Sequence, residues 1–317
     1  METTKLVIAV PTYNEEAMLP ITVPAMLAVL KNMIDSGKIA DTSRLLFIND
    51  GSKDQTWSEI LEAKKKDYHV TGVSFSRNAG HQNTLVAGLQ VTKDADAVVT
   101  IDADLQDDIN AIERMIDKYN AGYEVVYGVR NNRATDSAFK RTTANAFYKV
   151  MSIMGAKTIP NHADFRLLSR RAADAVLEFP ERNLFLRGIV PLVGFKSAEV
   201  YYARKEREAG ESKYPISKMI KFAVDGITSF STVPLRVILW LGFVSVLVAI
   251  FLIIMTLFQN AAGRTTSGWS SLMVSIWFVG GAQLISIGVL GEYLGKVFFE
   301  VKRRPRFFIE LDEYTDQ

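Results

Sequence analysis

The sequence contains no cysteine, which excludes a disulfide framework and a thiolate metal site. It has little net charge, +2 over 317 residues, so the chain as a whole is not built to bind a polyanion, and no nucleic-acid partner is expected. It lacks both glycine signatures of nucleotide binding. No G-x-G-x-x-G run follows the first strand pattern, and no P-loop occurs anywhere. A nucleotide would have to be held by side chains and a metal. The N-terminus enters a strand pattern directly, without the regions of a signal peptide. From Val237 to Phe258 charge is missing altogether, and that absence points to a membrane.

What is present divides near Pro234. The first part mixes charges, glycine and apolar runs as a soluble α/β domain does. Strands are expected at Leu6–Val10, where Pro11 stops the run, and at Leu45–Ile48, Val70–Ser76, Ala97–Ile101 and Glu124–Tyr127. Between them lie helical patterns: one from the Asn14 cap to about Ser36 with Gly37 as its stop, one beginning at Gln55 behind Asp54, one to about Val91, and one over Ile109–Asn120. The β-α-β alternation predicts a mostly parallel sheet covered on both faces. A helix from about Ser137 to Met154 would carry Arg141 and Asn145 on one face.

The chemistry concentrates in Val98–Asp108, VVTIDADLQDD. A buried strand accounts for the first half. Asp102, Asp104, Asp107 and Asp108 crowd the second, and carboxylates this close repel one another unless a cation neutralises them. Asp102 and Asp104, two apart, point to one side of an extended backbone, and Gln106 adds a neutral oxygen there. A hard divalent cation takes such oxygens and keeps positions open for substrate phosphates. An acidic turn capping the helix near Ile109 is the alternative reading.

Asp50 ends the second strand, where open α/β sheets bind ligands; an Asp-Gly turn is its plainer explanation. Arg77 could face a phosphate. His81, alone at a helix start, reads as a polar surface residue. Asp164 stands among strand-like residues, which suits an inward-facing carboxylate, and it shares a face with Arg166 if that stretch is a strand. In Tyr201–Lys213 a glycine flanked by Arg207, Ser212 and Lys213 has the makings of a mobile loop closing on a diphosphate, or of a solvated charge run.

Two apolar spans are expected, at about 237–258 and 272–292, the second rich in glycine. An amphipathic segment precedes them, over 214–234. The flanks Lys213–Arg236 and Lys296–Arg306 are basic, and the loop between the spans holds only Arg264. The positive-inside rule therefore predicts both termini and residues 1–213 on the cytoplasmic side of the cell membrane, with 296–317 as a basic tail.

Taken together, PTYNEE, NDGSKD, DADLQ, HADFR and REAGESKY followed by two spans resemble the family-2 glycosyltransferases of GT-A fold. The similarity is greatest to the polyprenyl-phosphate glycosyltransferases, such as dolichol-phosphate mannose synthase and the bacterial undecaprenyl-phosphate glucosyltransferases with two C-terminal membrane helices. The resemblance covers nearly the whole chain. It implies roles by position. Pro11, Tyr13, Glu15, Asp50 and Asp102 would line the nucleotide. Asp102, Asp104 and Gln106 would hold Mg²⁺ or Mn²⁺ on the donor diphosphate, with Asp104 and Asp164 catalytic. Arg130, Arg141 and Asn145 would grip the acceptor phosphate, and Arg207, Ser212 and Lys213 would close over the diphosphate. The usual Asp-Asp-Gly-Ser run begins here with Asn49.

The reaction so implied is transfer with inversion from a UDP-sugar, UDP-glucose or a UDP-N-acetylhexosamine, to undecaprenyl phosphate. A homo-oligomer, a separate flippase and a downstream glycosyltransferase serving a cell-envelope polymer are expected with it. A processive polysaccharide synthase is the enzymatic alternative, but Asn183–Gly188 has no Gln-x-x-Arg-Trp tryptophan. A non-catalytic nucleotide-sugar scaffold is the other.

Overall fold

The computed structural model describes residues 3–131, 162–182, 185–203, 232–261 and 268–315. The expected helix bearing Arg141 and Asn145, the loop bearing Arg207, Ser212 and Lys213, and most of the segment 214–234 lie outside them.

Five strands, β1 (Leu6–Thr12), β2 (Arg44–Asn49), β3 (Val70–Phe75), β4 (Ala97–Thr100) and β5 (Val125–Arg130), alternate with α1 (Leu19–Asp35), α2 (Thr56–Lys66), α3 (His81–Val91) and α4 (Ala111–Asn120). β6 (His162–Ser169), α5 (Arg170–Leu177), a helical turn over Leu186–Val193 and β7 (Ser197–Tyr202) follow. The strands form one eight-stranded sheet in the order β7-β5-β6-β4-β1-β2-β3-β8, where β8 is Ile309–Asp312. β3-β2-β1-β4 is wholly parallel, and only β6 and β8 run against the common direction. Every residue of β1 and β3 is buried, as continuous apolar runs covered on both faces must be. On α4, Ile112, Met115 and Ile116 bury against the core while Glu113 stays outside.

Three details depart from the sequence reading. β1 does not stop at Pro11 but continues to Thr12, with Pro11 in register with Ile48. Pairing with β4 ends at Ala9. Pro11 shares the alternation of Ala9, so its missing N–H falls on a side with no partner strand. Asn14 does not cap α1, whose first turn contains no acidic residue. It turns at φ 53° and accepts from the Lys53 amide at 2.9 Å, tying the first loop to the second. Residues 309–312, expected within a basic tail, form the edge strand β8 against β3.

The polypeptide divides into two compact units, one of residues 1–149, 157–215 and 304–317, the other of 150–156 and 216–303. The second contains α6 (Val233–Ala261) and α7 (Trp269–Lys302), which contact each other. Among the described residues no helix is long and apolar enough to cross a membrane. Large apolar side chains are nevertheless exposed along both helices, among them Leu239 at 71%, Phe258 at 74%, Leu284 at 72% and Phe299 at 64%.

Candidate active site

The strand order reverses between β1 and β4, and their carboxyl ends open a crevice of the kind that binds ligands in α/β sheets. Antiparallel β6 brings its amino end to the same rim, because Thr100 is in register with Arg166 and the Thr100 hydroxyl donates to the Asp164 carbonyl at 2.7 Å. The result is a cleft of about 570 Å³ lined by Pro11, Tyr13, Glu15, Asp50, Asp102, Asp104 and Asp164, with His81, Thr84 and Arg187 among the other lining residues.

Seven side chains singled out in the sequence therefore meet in one place. Their engagements differ. Asp50, 3% exposed, accepts from the amides of Ala79 at 2.6 Å and Gly80 at 2.9 Å. Burial pushes its carboxyl above the usual range, against the pull of these amides. It holds the loop ahead of α3 as well as facing the cleft. That loop packs so tightly on β2's turn that a Cβ at Gly51, φ +63°, would lie 2.6 Å from the Arg77 carbonyl carbon. Asn49 bonds Ser74 across the strands at 2.9 Å, so the position that departs from the Asp-Asp-Gly-Ser pattern serves the sheet.

The acidic run splits in two. Leu105, at φ 53° and 8% exposed, turns the backbone through a conformation unfavourable to a branched side chain. Before the turn, Asp102 and Asp104 face the cleft. After it, Asp107 is buried and takes the Arg130 guanidinium at 2.9 and 3.0 Å and the Tyr202 hydroxyl at 2.6 Å. Arg130, expected on an acceptor phosphate, is thus engaged by Asp107. Close approach makes this possible, since a Cβ at Gly128 would meet the Phe165 ring at 2.8 Å. Asp108 accepts from the Asn110 amide at 3.2 Å, just ahead of α4. It does not cap the helix, whose N-cap is Asn110 with no side-chain cap bond.

Asp102 is 38% exposed, and its ion-pair partner among the described residues is His81 at 3.6 Å. Burial pushes its carboxyl up to about 6; His81 opposes the shift, and Asp164, Asp107 and Asp104 add to it. Asp104 accepts from the Gln106 amide at 3.2 Å. Asp164 is the opposite case. Burial disfavours its charge, but Arg187, His81 and Arg166 hold its carboxyl well below the ordinary 3.8. The Arg166 contact is 2.5 Å, the Arg187 contacts 3.1 and 3.3 Å, and His81 stands 3.5 Å away. The Asp164–Arg166 pair lies along one strand face, as the strand reading required. Burial pulls the His81 ring's pKa down, yet its bond to Asp164 and the charge of Asp102 raise it overall.

His81 and Arg187 are the residues that sequence reasoning missed. His81 follows the third strand at the same rim as Asp50, and that position was the available signal. Arg187 stands where Gln-x-x-Arg-Trp has its arginine, but the missing tryptophan masked that signal. It is placed by a tertiary contact, the Leu186 amide donating to the Gln82 side chain at 3.0 Å.

Among the described residues no group of three His, Asp or Glu is arranged to hold a metal ion. The donors nevertheless suit a hard dication, which commonly takes one or two carboxylates and completes its shell with water and substrate phosphate. Asp102 and Asp104 supply two carboxylates on the cleft wall, and the charges of Asp164, Asp107 and Asp104 add to the burial that raises the Asp102 carboxyl.

The family model for glycosyl transferase family 2 matches residues 7–177. The chain belongs to that family. A second model, the GtrB C-terminal hairpin, matches residues 233–297. An uncharacterized glycosyltransferase of Bacillus subtilis, YkoT, is 50% identical over 98% of this chain and 93% of its own. The bactoprenol glucosyl transferase of Shigella phage SfX is 43% identical over 96% of this chain and 99% of its own. Glucosyl-3-phosphoglycerate synthase of Mycobacterium tuberculosis, solved with Mn²⁺, UDP-glucose and phosphoglyceric acid, overlaps 71% of this chain and 78% of its own at TM-score 0.47 and 16% identity.

Proposed function

We propose that this glycosyltransferase moves a hexosyl group, glucose from UDP-glucose as the first choice, onto the phosphate of a polyprenol at the cytoplasmic face of the cell membrane. The observation that carries the reading is the state of the inner wall. Arg166 and Arg187 grip the buried Asp164 and hold its carboxyl well below the ordinary carboxylate range, so at Asp164 this wall offers only a weak base to a sugar or serine hydroxyl. It suits an acceptor that arrives ionised, as a phosphate monoester with a second pKa near 6 does.

An acceptor phosphate oxygen attacks the anomeric carbon, the carbon–oxygen bond to the diphosphate breaks, and the nucleoside diphosphate departs with the electron pair. The sugar carbon is inverted. Pro11, Tyr13 and Glu15 border the nucleotide end. Asp102 and Asp104 would hold a Mg²⁺ or Mn²⁺ ion, which when bound supplies positive charge to the diphosphate. Arg187 places cationic charge at the inner end, and Asp164 holds Arg187 with His81 beside it. The assignments of Arg141 and Asn145 to the acceptor and of Arg207, Ser212 and Lys213 to the diphosphate remain part of this proposal.

A twice-crossing hairpin over about 237–258 and 272–292 would bring the cleft to a lipid acceptor. The uncharged run Val237–Phe258 and the exposed apolar side chains of α6 and α7 support it. So does topology. Residues before and after the hairpin belong to one sheet through β7 and β8, so a chain that enters the bilayer after β7 must leave on the side it entered. The basic flanks favour the cytoplasm for that side. The lipid-linked sugar then requires a flippase and a second transferase, and the glycine-rich second helix suits a homo-oligomer.

The test is transfer of label from a panel of nucleotide sugars to undecaprenyl phosphate by the purified full-length protein. Organic-phase label that depends on Mg²⁺ or Mn²⁺ is expected. Donor binding without any lipid-linked product would favour the scaffold reading and overturn this one.

A further inference from the structure

The segment leaving α7 reaches both chain stretches that carry the cationic wall. The Arg306 guanidinium donates to the carbonyls of Phe179 at 2.7 Å and Glu181 at 2.8 Å. Six residues beyond Glu181 the chain arrives at Arg187, whose guanidinium holds Asp164. Next to Arg306, Phe307 stacks on Phe75 with ring centroids 4.8 Å apart and planes 4° from parallel. The Ser76 amide then donates to the Phe308 carbonyl at 3.1 Å. Phe75 and Ser76 end β3, and their continuation is the loop that Asp50 holds and the start of α3, with His81 and Gln82. Gln82 in turn accepts from the Leu186 amide. Beyond Phe308, β8 is stitched on by Thr71, which donates to the Glu313 carbonyl at 2.7 Å, and by Tyr314, which donates to Asp94 at 2.6 Å.

We infer that Arg306 is a positioning residue for transfer: it clamps the 179–181 strap to the chain that leads into β8, and so sets Arg187 against Asp164. Both bonds come from one terminal nitrogen, Nη2, whose two hydrogens are fixed in the guanidinium plane, a direction that a lysine ammonium on a flexible stem does not hold. Arg306 touches neither substrate nor reacting atoms. Its effect passes through Arg187, and a small displacement there is costly to turnover. The inference rests on the transfer reaction proposed above.

The test is a double-mutant cycle on the full-length enzyme, with Arg306→Lys and Arg187→Lys alone and combined, read as kcat and KM for the nucleotide sugar. Arg306→Lys should lower kcat about tenfold with KM changed less than about twofold, and should add less than about twofold in the Arg187→Lys background. Losses that multiply fully in the double variant, or an Arg306→Lys enzyme with wild-type kcat, would overturn the inference. A purely architectural role would lower thermal stability and leave kcat per folded molecule untouched. Should Arg306→Lys fail to fold, Phe307→Leu takes its place in the cycle. A kcat loss absorbed by Arg187→Lys again supports the clamp, and an unchanged kcat contradicts it. Absence of lipid-linked product from the wild-type enzyme would instead count against the transfer reaction, so the two failures are distinct.

Discussion

Asp102 and Asp164 both approach Nε2 of His81, at 3.6 and 3.5 Å, yet their surroundings treat charge in opposite ways. Asp164 is 7% exposed and gripped by two guanidinium groups. Asp102 faces other carboxylates and has no guanidinium partner among the described residues. One carboxylate is neutralised by the protein. The other is the carboxylate that, in the function proposed above, a cation and its diphosphate would complete.

Breaking the Asp164 ion pairs should have the largest effect. Asp164→Asn leaves Arg166, 2% exposed, without its counter-charge, and removal of one partner from a buried pair costs about 3–5 kcal/mol. Transfer should fall about a hundredfold or more with it. The pH dependence follows from the lowered carboxyl. The stability due to Asp164 is fully present above the unfolded value of 3.8 and is lost as pH falls toward the lower folded value. The stability gap between wild type and variant, measured by denaturant titration, should be constant from about pH 5 upward and shrink below about pH 4. A gap that instead narrows near pH 7 would mean that Asp164 titrates there and can act as a base.

Arg187→Lys sharpens the same comparison with a smaller change. The charge remains, but the two-pronged contact with Asp164 is lost. We expect kcat to drop about tenfold, with nucleotide affinity nearly unchanged. A fall in donor affinity alone would move Arg187 from the acceptor end of the cleft to the donor end.

Most of this fold was legible in local pattern. The apolar runs of β1 to β4 and the helical spacing between them announced the parallel sheet, and the carboxyl ends of those strands led to Asp50, Asp102 and Asp104. Long-range pairings were not legible. β6 slots between β4 and β5, which no local signal shows, and this insertion brings Asp164 to the rim. β8 was hidden in a basic stretch because its pairing with β3 is made by chain more than 200 residues away. Arg130 and Asp107 each looked available for ligand until folding joined them. His81 and Arg187 owe their roles to neighbours distant in sequence. The sequence pattern identified which carboxylates mattered, and tertiary contacts decided which of them the protein had already satisfied.

The most direct measurement is manganese binding to wild-type protein and to the Asp102→Asn and Asp104→Asn variants, read by electron paramagnetic resonance with and without UDP-glucose. Nucleotide should tighten the wild-type ion by about tenfold or more, since its diphosphate completes the coordination shell, and each variant should lose that gain. Variants that bind manganese and nucleotide as tightly as wild type would contradict the assignment of the ion to this rim.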